Sequence, residues 1–323
     1  MKATAKAHPI QGLVKYHGMR NPELRLPYHD SISVCTAPSH SKTTAEFDDA
    51  LDDDEIVIDG ETVTGRGRER VEMVIDHVRD LADIDAPVRF HSANNFPTNI
   101  GFGSSSSGFA AAAMALVEAA GLDVTRPEVS TVARRGSSSA ARAVTGAFSQ
   151  LDAGMNDADC RSHRIETGLE DDLRIVAAEV PAFKHTEEAH REAEESHMFD
   201  ARMAHIHGQI ADMRDALRRE AFDEAFELAE HDSLSLAATT MTGPAGWVYW
   251  QPETLAVFET VRDLREEEGI PVYYSTDTGA SVYVNTTAAH VDRVESAVAE
   301  HVPTRVWEVG GPAQVLDESE ALF

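Results

Sequence analysis

Four short stretches of the sequence carry residues that could do chemistry. The first is Asn99-Ile100-Gly101-Phe102-Gly103-Ser104-Ser105-Ser106-Ser107-Gly108, which runs straight into an alanine-rich segment over 109–120. Glycines let a backbone approach an anion closely, and the N–H groups and dipole of a helix start favour phosphate. Serine hydroxyls can add hydrogen bonds or a hold on Mg2+. The Gly-Lys-Ser/Thr ending of a Walker A loop is missing. Without the helix behind it, the same stretch would read as a flexible serine-rich loop. The second stretch, Lys15-Tyr16-His17-Gly18, sets a cation beside a phenol near a strand end, which suits a surface, a core or a site. The third is Thr276-Asp277-Thr278-Gly279-Ala280. Its aspartate is either an ordinary turn residue or a buried general base kept ionised by a nearby lysine. The fourth, Gly136-Ser137-Ser138-Ser139-Ala140-Ala141-Arg142, offers hydroxyls and one guanidinium, a set that suits a carboxylate or a phosphate. The alternative there is a capped helix with a solvent-facing arginine. His185, His190, His197, His205 and His207 follow no metal-ligand spacing and read as helix-surface residues.

The elements that must position these residues are legible from periodicity. Residues 3–15 and 30–47 alternate and carry β-branched positions, so they read as strands. Residues 56–63 read as a hairpin turning at Asp59-Gly60. Val71, Val74, Ile75, Val78 and Leu81 share one face of a helix over 69–81. A strand over 87–93 precedes the glycine–serine stretch, and 109–120 is strongly helical. A short helix over 127–135 leads to a helical or loop piece ending at Gly146. Residues 147–151 and 173–180 then read as strands. Beyond them, 197–219, 222–236 and 253–268 read as long helices. Strands over 272–275 and 282–284 flank Asp277, and a helix over 291–301 and a strand over 306–308 finish the chain. The pattern is α+β. It divides into an N-terminal part, 1–175, and a C-terminal part, 176–323.

Composition bounds the rest. The chain has 323 residues, 42% of them hydrophobic, enough to bury a real core. The formal net charge of -28 comes from 56 acidic against 28 basic residues. Lysine occurs only at Lys2, Lys6, Lys15, Lys42 and Lys184. An acidic, lysine-poor surface fits a protein kept soluble in concentrated salt, and its sign opposes DNA or RNA binding. No apolar run approaches the roughly 20 residues of a membrane span, and the first residues lack a secretory signal, so the expectation is a cytoplasmic protein. Cys35 and Cys160 are far apart in sequence and read as reduced thiols.

Taken in order, the stretches resemble the mevalonate diphosphate decarboxylase family, within the galactokinase–homoserine kinase–mevalonate kinase–phosphomevalonate kinase (GHMP) superfamily. Ala5-Lys6-Ala7-His8 through Lys15-Tyr16-His17-Gly18, with Pro27 and Ser31-Ile32-Ser33-Val34, is similar to that family's first strand and Lys-Tyr-Trp-Gly-Lys motif. Phe96-Pro97-Thr98 through Ser107 resembles its serine-rich ATP loop. Gly136 through Arg142 with Gly146-Ala147-Phe148 resembles its Gly-Ser-Gly-Ser-Ala-x-Arg segment, and Tyr274 through Ala280 its Asp-Ala-Gly-Pro-Asn segment. The resemblance spans most of the chain and is vague over about 185–250.

It implies a two-lobed GHMP-kinase-like fold with the active site in the cleft between lobes, and a homodimer. It implies ATP and Mg2+ as cofactors and a phosphorylated mevalonate as substrate. Asp277 would take the proton of a tertiary 3-hydroxyl, with Lys15 beside it. Gly101, Gly103, Ser104, Ser105 and Ser107 would hold ATP phosphates, Ser104 and Ser105 also Mg2+. Arg142 would grip the substrate carboxylate, and Tyr16, Ser137 and Ser139 would contact the 5-phosphate end. Four departures stand out: His17 for the tryptophan, Met19 for the second lysine, Ile10 for an early asparagine and Ala280-Ser281 for Pro-Asn. That lysine helps bind a diphosphate, and losing one charge-assisted phosphate contact costs roughly 1.5–3 kcal/mol. The expected substrate is therefore mevalonate 5-phosphate, giving isopentenyl phosphate, as in a haloarchaeal branch of the family. The rival readings are a diphosphate-specific decarboxylase in which Arg20, Arg25 or Arg191 replaces the lysine, a 3-hydroxyl kinase without decarboxylation, and a non-catalytic relative.

Overall fold

The computed structural model of the chain describes residues 1–96, 102–181 and 191–323. Its strands are β1 Lys2–Ala7, β2 Ile10–Val14, β3 Met19–Asn21, β4 Leu26–Pro27, β5 Ser31–Ala37, β6 Ser41–Phe47, β7 Glu55–Ile58, β8 Glu61–Thr62 and β9 Val88–Asn94. They continue with β10 Phe148–Leu151, β11 Ser162–Arg164, β12 Leu173–Ala178, β13 Val272–Ser275, β14 Val282–Thr287, β15 Thr304–Val309 and β16 Gln314–Leu316. The helices are α1 Gly65–Ala82, α2 Ser104–Ala119, α3 Arg126–Gly136, α4 Ala140–Thr145, α5 Phe199–Arg218, α6 Phe222–Met241, α7 Pro252–Glu268 and α8 Val291–Val298.

The strand expected over 3–15 is two strands, because Pro9 has no N–H to give a ladder and the chain changes sheets there. The strand expected over 30–47 likewise splits around 38–40. As a result β1 and β6 lie in one sheet, ordered β16-β1-β6-β9-β7-β8, while β5 lies in another, ordered β11-β10-β5-β15-β12-β14-β13. β2 pairs antiparallel with β5 over Ile32 to Cys35, and β15 takes over the same strand at Thr36 and Ala37. The second sheet therefore runs through both halves of the chain. The hairpin at Asp59-Gly60 forms as expected. The β3–β4 hairpin, β11 and β16 lie outside the expected elements, being short strands with no alternation to reveal them.

Helix α2 lies against β1 and β6 because its inward positions are alanines: Ala110 to Ala113 and Ala115 are buried, so the backbone approaches the sheet closely. α3 starts in a capping box, Thr125 N donating to Glu128 Oε2 at 2.7 Å, with Pro127 in the first turn. One apolar core lies between the first sheet and α1 to α3. A second joins β2, β5, β12 and β15 to α5 and α6, and a third packs β12 to β14 against α7 and α8. No helix among the described residues is long and apolar enough to cross a membrane.

Candidate active site

Strand β2 is the spine of the site. At its start, Ile10 N donates to Ser106 Oγ at 3.1 Å, tying the strand to the first turn of α2. Gly103, which caps that helix, has φ 69°, a conformation that suits glycine, and a Cβ there would sit 3.0 Å from the Ile10 carbonyl. Among the described residues no side chain caps α2. Its half-buried Ser104 and exposed Ser105 thus stand at an uncapped helix start, the arrangement that binds phosphate. Ser107 points the other way: it is fully buried, 2.7 Å from Ser41 Oγ and donating to the Ser104 carbonyl. Gly101 lies outside the described residues, as do His185 and His190.

Two residues along β2, Gly12 N donates to Asp277 Oδ1 at 3.3 Å. Asp277 also accepts from the Tyr283 hydroxyl at 3.4 Å, and Tyr283 meets Phe102, at the foot of the serine loop, edge to face at 5.3 Å. Burial and the neighbouring Asp277 carboxylate push the Tyr283 phenol well above its usual value, so it stays a donor. Gly12 leaves no free room for a larger residue: a Cβ would lie 2.6 Å from Lys15 Cγ and 2.8 Å from Asp277 Oδ1, so both side chains would have to shift. The Lys15 stem and the Asp277 carboxylate thus both border this glycine.

Lys15 is buried just beyond β2. Its Nζ donates to Ser233 Oγ at 3.1 Å and to the Ala229 carbonyl at 3.4 Å, and lies 3.5 Å from Asp232 Oδ2. Burial pulls its pKa down, while Asp232 first and Asp277 second pull it back up.

Arg142 is not solvent-facing. It sits on α4 at 2% exposure, with its guanidinium carbon 5.6 Å from the centre of the Tyr16 ring. Burial lowers its pKa to about 10, opposed by Tyr16 and then Asp277, so it remains a cation at neutral pH. Its Nε and Nη1 have no hydrogen-bond partner among the described residues. An unpaired buried guanidinium is costly, and a carboxylate ligand would satisfy it. The Tyr16 hydroxyl is 3.5 Å from Ser139 Oγ, and Ser137 is buried at the end of α3. The two thiols are buried and free; burial raises Cys35, which Arg142 opposes, to about 12 and Cys160 to about 11.

A family model described as the diphosphomevalonate decarboxylase-like N-terminal domain matches residues 7–162, and one described as the mevalonate 5-diphosphate decarboxylase C-terminal domain matches 174–315. The chain belongs to the diphosphomevalonate decarboxylase family. It is 75% identical to the phosphomevalonate decarboxylase of Haloferax volcanii, over the whole of both chains. Among solved structures it is similar to mevalonate diphosphate decarboxylase from Staphylococcus aureus, with TM-score 0.93 and 25% identity over 98% of each chain. It is also similar to MDDEF in complex with MVAPP, AMPPCP and magnesium, with TM-score 0.92 and 26% identity over 98% of this chain and 99% of that one. The chain is accordingly an ATP-dependent decarboxylase of the mevalonate pathway with the two-domain fold of these structures.

Within this decarboxylase, the structure brings Lys15, Tyr16, Ser139, Arg142 and Asp277 to one place, with Ser104 and Ser105 at the adjoining helix start. Sequence reasoning missed Gly12, Arg202, Asp232, Ser233 and Tyr283. A signal existed for three of them. Asp232 and Ser233 share the buried face of α6 with Ala225, Ala229 and Leu236, and Arg202 shares that of α5 with Phe199, Ile206 and Met213. Polar groups on an apolar helix face need partners. His197, His205 and His207 are exposed.

Proposed function

We propose that the chain converts mevalonate 5-phosphate to isopentenyl phosphate, with ATP and Mg2+. The observation that carries decarboxylation is the buried Arg142 guanidinium beside the Tyr16 ring, with two nitrogens that have no hydrogen-bond partner among the described residues. The identity to the Haloferax volcanii phosphomevalonate decarboxylase supports the monophosphate. So does Arg20, whose guanidinium donors are already engaged by backbone carbonyls of Pro27, Ala153, Gly154 and Met155, leaving this arginine few donors for a second phosphate.

Asp277 takes the proton of the tertiary 3-hydroxyl as that oxygen accepts the γ-phosphoryl group of ATP. Lys15 balances the carboxylate's charge. Phosphate then leaves with the C3–O electron pair, the carboxylate leaves as CO2, and the electrons of its bond to C2 form the C2–C3 double bond. Arg142 holds the carboxylate in line until that step, so its role is positioning and charge balance. Ser137, Ser139 and Tyr16 contact the 5-phosphate end. Gly101, Gly103 and the uncapped start of α2 at Ser104 and Ser105 hold the nucleotide phosphates. Ser107 is buried and acts there as a brace for the helix turn. Mg2+ bound with the nucleotide would neutralise phosphate charge. The Ser104 and Ser105 hydroxyls at the start of α2 are hard oxygen donors that suit a metal carried with the phosphates.

The same reading gives residues 1–175 the nucleotide and residues 176–323 the base, in a cytoplasmic homodimer adapted to high salt. The test is ATP-dependent release of CO2 and isopentenyl phosphate from mevalonate 5-phosphate. ADP formation without CO2 would favour a 3-hydroxyl kinase instead.

A further inference from the structure

The buried ion network behind Lys15 lies outside every role assigned above. Asp232 is fully buried on α6, and Arg202 is 1% exposed on α5. Asp232 Oδ2 accepts from Lys15 N at 2.9 Å and stands 3.5 Å from Lys15 Nζ. Arg202 Nη2 donates to the Lys15 carbonyl at 2.6 Å and to Asp232 Oδ1 at 2.9 Å, while Nη1 donates to Ser235 Oγ at 2.8 Å. Both backbone polar groups of one residue, and its ammonium, are thus held by a single buried carboxylate–guanidinium pair. Burying such a pair is rarely favourable for stability alone, which points to a use.

We propose that Asp232 and Arg202 are positioning residues that fix Lys15 against Asp277 and keep its ammonium charged in a dry site. The inference rests on the assignment of Lys15 and Asp277 to the reaction. Asp232 is the larger of the two carboxylate influences that oppose the loss of Lys15's proton to burial. Arg202 acts in the opposite sense on that proton but locks Asp232 and the Lys15 backbone in place. The charged and titratable groups around the network are Asp232 on α6, Arg202 on α5, Asp277 after β13 and His29 before β5. His29 is held down to about 4 by burial and Arg202, so it is neutral at working pH.

The experiment compares Asp232→Asn, and Arg202→Gln/Asp232→Asn in which both charges of the pair go together, with wild type and with Lys15→Met. Fold is checked by circular dichroism, and turnover by CO2 release across pH. In whichever Asp232 variant folds, kcat falls by about tenfold or more while KM for ATP and for mevalonate 5-phosphate stays within about twofold. In Asp232→Asn the alkaline limb moves down by about one pH unit or more, because Lys15 loses its nearer counter-charge; in the double variant, which also loses the opposing charge of Arg202, the limb moves less than in Asp232→Asn. A general loosening of structure would lower activity equally at all pH values. An unmoved alkaline limb in a folded Asp232→Asn, an unchanged kcat in either folded variant, or failure of both variants to fold overturns the proposal. Full turnover in Lys15→Met overturns instead the catalytic assignment beneath it.

Discussion

Replacing Gly12 by alanine probes the contact on which the chemistry depends. The backbone at Gly12 is not in the left-handed region, so alanine brings no conformational strain of its own. Its methyl carbon would fall 2.6 Å from Lys15 Cγ and 2.8 Å from Asp277 Oδ1. Carbon atoms pack at about 3.5–4.0 Å, so the Lys15 stem has to retreat by about 1 Å, and the carboxylate by roughly half that. Both clashes are with side chains, and both side chains can give. Overpacking of this kind costs about 1–3 kcal/mol of stability, which a domain of this size survives. A displacement of about 1 Å between positioned groups costs on the order of 100-fold in rate. The expected variant is therefore folded, binds ATP with nearly unchanged affinity, and releases CO2 about 100-fold more slowly at saturation. The assay is single-turnover and steady-state CO2 release, with ATP affinity measured separately. A folded variant with wild-type kcat would refute the reasoning, because the lysine and the aspartate would then not need to meet across this glycine.

Three further outcomes follow from the same site and surface. Asp277→Asn keeps the fold and ATP affinity and loses about 100- to 10,000-fold in turnover, the usual contribution of a positioned base; near-normal kcat would remove Asp277 from that role. Stability and activity rise from low to molar KCl, because 56 acidic side chains against 28 basic ones repel one another until screening shortens to about 3 Å; a melting temperature that is flat or falls over that range contradicts it. Met19→Lys shifts the kcat/KM ratio toward mevalonate 5-diphosphate, mainly through KM, at one fixed KCl concentration; an unchanged ratio shows that the charge at position 19 is not what sets the preference.

What the sequence discloses about this site follows from how local each signal is. The serine loop, the Asp277 turn and the Lys15 stretch are contiguous, and their order along the chain carries the family resemblance. The helices are legible because their apolar faces repeat, as on α1 with Val71, Val74, Ile75 and Val78. The division of the first long strand at Pro9 was readable in principle, since proline interrupts a ladder. The meeting of Gly12, Lys15 and Asp277 was not: it is a contact between residues 265 apart, set by how β2 and β13 lie beside α6. The same holds for Asp232. Nothing adjacent to it in sequence marks a partner for Lys15, and its only trace is a carboxylate on a helix face otherwise buried.

The most direct test of the account is the ratio of kcat/KM for mevalonate 5-phosphate and mevalonate 5-diphosphate, measured as ATP-dependent CO2 release in molar KCl. The account predicts a preference for the monophosphate of about tenfold or more, the equivalent of one missing charge-assisted contact to the second phosphate. A higher kcat/KM for the diphosphate would contradict it.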